Sequence, residues 1–492
     1  MRRAKRGAAC GAALLTVLFG LLSDPSVMPG AAAQTAVGET AGWETAVGES
    51  AGWEIAGAAN AGAKTTGAAA DEAAGDSLID RLAITGYLRA LADTPDEIPA
   101  YYSAAQDGRQ PVVRSQGSLS TCWALSAVSA LEAMLLPEQH LIFSADHLSL
   151  RNDYVITQQD GGDYFMILSY LSGWKGPVLE SEDPYGDGVS PEGLSAAVHV
   201  QEVRLLAGMS MREIRQMILR FGPVQTSLYM SRASTQEARG LYREETAAYY
   251  VPFTKELDHD VLVIGWDDDY PKENFAHAPA QDGAWICQNT WGEDFGEDGI
   301  FYVSYEDRNL FSHGGLCYSR VESADNYDAV LSCDSLGWQG RQGYGAGSCY
   351  FAAVFTVPEG AGPMELSAAG FYATGPDTLC NVSVVRQFED TSSFENATPL
   401  GLGWIEHAGW YTADLSTKPV LEEGERFAVI VRIETPGADK PVAVELRKDS
   451  YTANVTLEGR ESYLSRKGEV WENTQEKYGT NVCLKVFLRA AE

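Results

Sequence analysis

Positive charge is scarce in this chain: 36 lysines and arginines stand against 68 aspartates and glutamates, a formal net charge of −32. So acidic a surface repels nucleic acid and anionic membranes, which excludes both as partners and favours a dispersed protein. Paired cysteines are missing too. None of the eight shows the Cys-x-x-Cys spacing of a zinc site, so neither a metal nor any other cofactor is expected. Long apolar runs are absent after the first, Ala8–Leu22, so nothing beyond it should span a membrane. What remains is ordinary globular material, 45% hydrophobic and 21% charged, and 492 residues exceed what one core supports, so two folded domains are expected.

The N-terminus reads as a signal peptide over 1–33. Arg2, Arg3, Lys5 and Arg6 precede the apolar run, which is short for a span and ends near the small residues Ala31-Ala32-Ala33. Cleavage there removes four positive charges and one negative, leaving −35 on a secreted or extracellular chain that is not membrane-spanning. Cys10 leaves with it. Seven cysteines are an odd number, which suits one reactive thiol; Cys333–Cys349 and Cys380–Cys483 are candidate pairs whose connectivity the sequence does not decide.

Residues 34–76 carry a ten-residue unit twice, Thr35–Glu44 and Thr45–Glu54, too few copies and too much glycine for a solenoid. They read as a low-complexity flexible spacer. Leu78, Leu82, Leu88 and Leu91 give a short helix stopped by Pro95 and Pro99, so 77–97 reads as a short pro-segment. Residues 98–322 mix helical and extended patterns. From about Tyr327 the runs Tyr350–Val357, Arg426–Ile433, Val442–Leu446 and Val482–Leu488 alternate between turns, so 323–492 reads as an all-β sandwich, with the boundary inside 320–332.

Three residues carry chemistry. Cys122 opens an apolar-striped run in which Leu125, Val128, Leu131 and Leu135 predict an amphipathic helix, capped by Ser120 or Thr121. There the helix dipole favours a thiolate and lowers the thiol's pKa. His259 leads into the buried strand Val261–Gly265, a firm mounting for a general base. Asn289 follows the apolar strand Ala284–Gln288; its amide suits an imidazole partner, with Trp291 as a shield. Each alone is ordinary; the set is not.

Gln116-Gly-Ser-Leu-Ser-Thr-Cys122-Trp resembles the active-site signature of the papain family of cysteine peptidases. Asp258-His259 resembles its histidine block and Gln288–Tyr305 its asparagine block, in the family's order. His259 lies 137 residues after Cys122, within the family's usual 130–150, and Asn289 lies 167 after it because an acidic insert, Asp267–Asp282, intervenes. The resemblance implies an α+β, two-lobed fold with a helical lobe and a β-barrel-like lobe. It implies a Cys122 nucleophile, a His259 base, an Asn289 orienter, and Gln116 with the Cys122 N–H as oxyanion donors. It also implies a substrate cleft holding Gly161, Gly162, Leu257, Asp258 and Trp291, with Leu257 favouring an apolar substrate side chain. Phe221-Gly-Pro-Val224 resembles a segment leading into a strand beside that cleft. Leu119 stands where the family has a cysteine, so one family disulfide is absent and packing must replace it.

Asp334–Trp338, Ala369–Tyr372, His407–Tyr411 and Leu421–Phe427 resemble the lectin-like domain that accompanies some bacterial papain-like peptidases. Trp338, Trp404 and Trp410 either stack on sugar rings or fill the sandwich core, at least two of them the latter. The function implied is a secreted cysteine endopeptidase acting on protein or peptide substrates, with a cell-surface glycan or protein as a further partner of the C-terminal domain. Two rivals are a catalytically silent adhesion or glycan-binding protein and an amide hydrolase of cell-wall peptides.

Overall fold

The computed structural model describes residues 97–230 and 240–491. The expected signal peptide, spacer and, but for Glu97, pro-segment lie outside the described residues.

The helical lobe is built around α1, Cys122–Leu135. Every residue from Cys122 to Ala133 is buried, so the helix is sheathed all round and not amphipathic as its leucine stripe suggested. The reason is position: α1 lies against both the helix Ala145–Leu150 and strands of the neighbouring lobe. Its polar face is covered as well, and Glu132 there accepts the Phe143 N–H at 2.8 Å and pairs with Arg114. Next come α2, Ala145–Leu150, capped by Ser144, and α3, Tyr164–Ser172, whose first N–H groups bond the Asp163 carboxylate. Helix α4, Met211–Phe221, is amphipathic, begins in a Ser210/Glu213 capping box and buries Ile214, Met217, Ile218 and Phe221.

The second lobe is an antiparallel array in the order Val198–Leu205, Gly315–Ser323, Val224–Leu228, His259–Asp267, Ala284–Gln288, Ile300–Ser304. Beyond Asn326 the chain forms a β-sandwich. A six-stranded sheet containing Ser348–Thr356, Thr378–Val385 and Arg426–Glu434 faces Met364–Ala373, Gly409–Asp414 and Leu484–Ala490. Phe351, Phe371, Phe427, Val431 and Val486 fill the space between.

The two architectures share one sheet. Strand Gly409–Asp414 of the sandwich also pairs with Val198–Leu205, in the register Gly409↔Arg204, Trp410↔Val203, Tyr411↔Glu202. A Cβ on Gly409 would stand 2.1 Å from the Val203 carbonyl oxygen, so the close approach requires glycine. Trp338 and Trp410 are buried, but in this seam and not in the sandwich interior. They bracket Tyr372, with ring centroids 5.6 and 4.9 Å away, in a cluster that continues into Leu168 and Trp123. Trp404 is half-buried. Nearby, Trp174 stacks on His199 at 3.8 Å. Lys485 and Asp334 form a buried ion pair of 2.5 Å.

All seven described cysteines are single buried thiols, so the candidate pairs Cys333–Cys349 and Cys380–Cys483 are not formed. Among the described residues no helix is long and apolar enough to cross a membrane, and no group of three or more His, Cys, Asp or Glu side chains is arranged to hold a metal.

Candidate active site

Backbone pairing brings the distant residues together. Strands His259–Asp267 and Ala284–Gln288 are neighbours, with Leu262 opposite Gln288, so His259 and Asn289 emerge side by side at one end of the pair. The acidic insert folds back beyond the other end, where Arg215 and Tyr305 hold the Asp268 carboxylate at 2.5 and 2.8 Å. Sequence distance between His259 and Asn289 is therefore taken up away from the site.

His259 is buried and its Nε2–H donates to Asn289 Oδ1 at 2.7 Å. The same oxygen accepts the Thr290 N–H at 2.8 Å, and the Asn289 N–H donates to the Gly299 carbonyl. This sets the proton on Nε2 and leaves Nδ1 as the acceptor nitrogen of the neutral ring. Trp291 tilts over the ring at 4.9 Å, and its backbone bridges to Ser115 on the loop that leads to Cys122.

Cys122 stands at the first position of α1, 7% exposed. The backbone N–H of Asp260, the residue after His259, reaches its sulfur. The expected depression of the thiol's pKa by the helix does not prevail. Burial, reinforced by the Asp260 carboxylate, pushes it up to about 12. An isolated thiolate is thus disfavoured here. Nor does a hydroxyl cap the helix. Thr121 occupies the N-cap position, but its side chain bonds the Tyr185 hydroxyl instead.

Gln116 is held rigidly. Its Oε1 accepts the Thr290 hydroxyl at 2.7 Å, its Nε2 donates to the Leu119 carbonyl at 2.6 Å, and its backbone N–H bonds the Thr290 carbonyl. One Nε2 hydrogen remains for another acceptor. Tyr185 also donates to the Gln116 carbonyl at 3.2 Å, so one phenol ties both ends of the Gln116–Thr121 loop, on the side where Leu119 replaces a cysteine. Ser120 donates to the Gln158 carbonyl and secures its middle.

The remaining cleft candidates fall nearby with unequal support. Gly161 has φ +85°, and a Cβ on Gly162 would lie 2.3 Å from the Trp123 ring, so the Gly162 backbone rests directly on the residue after Cys122. Asp258 is half-buried and its carboxylate accepts the Met230 N–H at 2.7 Å. Leu257 is buried.

The family model described as "Papain family cysteine protease" matches residues 98–317. Those residues belong to the papain family. The model described as "Lectin like domain" matches residues 330–488. Among curated relatives, procathepsin L of Rattus norvegicus is 26% identical over 226 residues, 45% of this chain and 64% of its own. Cysteine proteinase B of Leishmania mexicana is 25% identical over 232 residues, 45% of this chain and 48% of its own. The chain thus spans about half to two thirds of these relatives. A solved structure of the cysteine protease and lectin-like domains of Cwp84, a surface layer associated protein of Clostridium difficile, has a TM-score of 0.69 at 22% identity. It covers 81% of this chain and 90% of that one. At that identity the match shows the shared fold of both domains.

In this papain-family domain, sequence reasoning missed Tyr185, Gln225 and the direct approach of Asp260 to the sulfur. Only the sequence position of Asp260, next to His259 at the mouth of a strand, could have signalled it.

Proposed function

We propose that the chain is a secreted cysteine endopeptidase, an inference carried by the 2.7 Å bond from His259 Nε2–H to Asn289, with the N–H of the next residue, Asp260, turned to the Cys122 sulfur. Nδ1 of His259 takes the thiol proton and the thiolate attacks a peptide carbonyl carbon. The Gln116 amide and the Cys122 N–H donate to the oxyanion, each such donor contributing about 3–4 kcal/mol in comparable acyl-transfer sites. The imidazolium protonates the leaving nitrogen, the C–N bond breaks and a thioester remains. Water gives a proton to His259 and attacks the thioester carbon; the C–S bond breaks and the pair is regenerated. No step calls on a cofactor.

Secretion is supported by the basic, then apolar, then small-residue order of residues 1–33. Attachment to a cell surface through the β-sandwich is supported by its match to a lectin-like domain and by the description of Cwp84 as surface-layer associated.

The experiment is turnover of a fluorogenic peptide by the mature chain, with and without a thiol-alkylating epoxide. The expected result is turnover abolished by the epoxide, with label on Cys122, and lost in Cys122→Ala. An unlabelled Cys122 without turnover sinks this reading in favour of adhesion, and turnover confined to cell-wall peptides redirects it to an amide hydrolase.

A further inference from the structure

The residue directly after His259 is a buried acid at the heart of the site. Asp260 is 8% exposed and sits opposite Ser227 in the adjoining strand. Its Oδ1 accepts the Ser227 hydroxyl at 2.5 Å and its Oδ2 accepts the Gln225 amide at 2.6 Å. The bonds run on in both directions. Gln225 Nε2 also donates to the Trp123 carbonyl at 3.1 Å, in the first turn of α1, and the Tyr164 hydroxyl lies 2.6 Å from Ser227 Oγ at the start of α3. One polar line therefore joins the helix that carries the nucleophile to the strand that carries the base.

The charges around Asp260 are one-sided. Cys122 faces it from α1 and Asp163 and Tyr164 from the start of α3, while Asp258, two residues before it, acts with it on Cys122. From Val224–Leu228 come only the neutral donors Gln225 and Ser227. Among the described residues no lysine or arginine pairs with it. Burial, with Asp163 adding to it, outweighs the two donors and lifts its carboxyl to about 6.

On the reading of this site as a thiolate–imidazolium pair, we propose that Asp260 is a positioning residue that holds the first turn of α1 through Gln225 and, by gaining a proton as the pH falls, withdraws its charge from Cys122 so that the sulfur stays ionised further into acid. A carboxylate against the pair opposes the thiolate and favours the imidazolium, so it moves both ionisations upward. Once it is protonated, the opposition to the thiolate ends. Loss of the thiolate is thereby spread over a wide pH range, because each proton taken by one group weakens the other's hold on its own.

The test is the pH dependence of Cys122 alkylation by iodoacetamide, read by mass, beside kcat/KM for a fluorogenic peptide. Both are measured on the mature wild type, Asp260→Asn and Ser227→Ala. In Asp260→Asn the acid limb should become a single steep ionisation and both limbs should move down by roughly one pH unit. Ser227→Ala removes a donor to the carboxylate and keeps the acid, so the break contributed by Asp260 should move to higher pH. A purely structural Asp260 predicts lower amplitude with unmoved limbs in both variants, and that outcome overturns the proposal. An unreactive wild-type Cys122 overturns the peptidase reading and this one with it. A reactive wild type with unchanged variant profiles overturns this one alone.

Discussion

Replacing Asn289 by alanine tests the geometry at its narrowest point. Asn289 Oδ1 serves two buried donors, His259 Nε2–H at 2.7 Å and the Thr290 N–H at 2.8 Å. Alanine leaves both without a partner in a place 1% exposed. A buried donor so stranded costs roughly 1–3 kcal/mol, so the fold should lose about 2–6 kcal/mol. The imidazole also loses its orientation and tautomer, and a misplacement on the order of 1 Å lowers the rate by about 10²-fold. Asn289→Asp separates the two effects. It keeps the accepting oxygen and sacrifices only Nδ2, which has no hydrogen-bond partner among the described residues. A carboxylate there should restore much of the rate. It should also hold the imidazolium to higher pH, moving the alkaline limb of kcat/KM upward. The assay is kcat/KM across pH for both variants, with thermal melts. If Asn289→Ala keeps kcat/KM within about threefold of wild type, Asn289 does not orient His259 and the argument from this bond fails.

Gly162→Ala places a methyl 2.3 Å from the Trp123 ring. It should lower kcat/KM by about tenfold or more and also destabilise by roughly 1–3 kcal/mol in a thermal melt, because the ring that must shift is buried and belongs to the residue after Cys122. Gly409→Val drives a side chain into the Val203 carbonyl and should destabilise by roughly 1–3 kcal/mol, read as a lower melting temperature or as a second transition where the sandwich parts from the peptidase lobes. Glu132 is raised to about 7, chiefly by burial and despite Arg114. A group raised on folding stabilises fully below its unfolded value of 4.5 and loses that contribution as the pH climbs through 7. Its share is roughly 3 kcal/mol, so Glu132→Gln should flatten the fall in denaturant-measured stability between pH 5 and 8.

The positions of the three candidate catalytic residues were legible because each belongs to a short stretch whose own pattern places it: Cys122 at a helix start, His259 at a strand mouth, Asn289 just past a strand. Gly162 came from the resemblance as a cleft residue, and its close approach to the Trp123 ring was not in that reading. Asp260 was not legible, because its meaning depends on which residue of another strand stands opposite, and the Ser227↔Asp260 register is a product of the assembled sheet. Tyr185 enters from a loop 64 residues after Thr121, beyond any local pattern. Strand Val198–Leu205 depends on the assembled sheet too: its Glu202 and Arg204 are buried, opposite Tyr411 and Gly409 of the sandwich strand. The full burial of α1 likewise reflects neighbours on every side, which a leucine stripe does not announce.

Because hydrogen-bonded backbone runs unbroken from Leu484–Ala490 to the histidine strand, the C-terminal third is no pendant on a string. On the proposed reading, a surface bound by the sandwich would be presented to Cys122 at one span and one angle, as a jig presents work to a tool. Reach would then be a matter of the anchored object's own geometry: a scissile bond at the wrong height above that anchorage would be safe, however good its sequence.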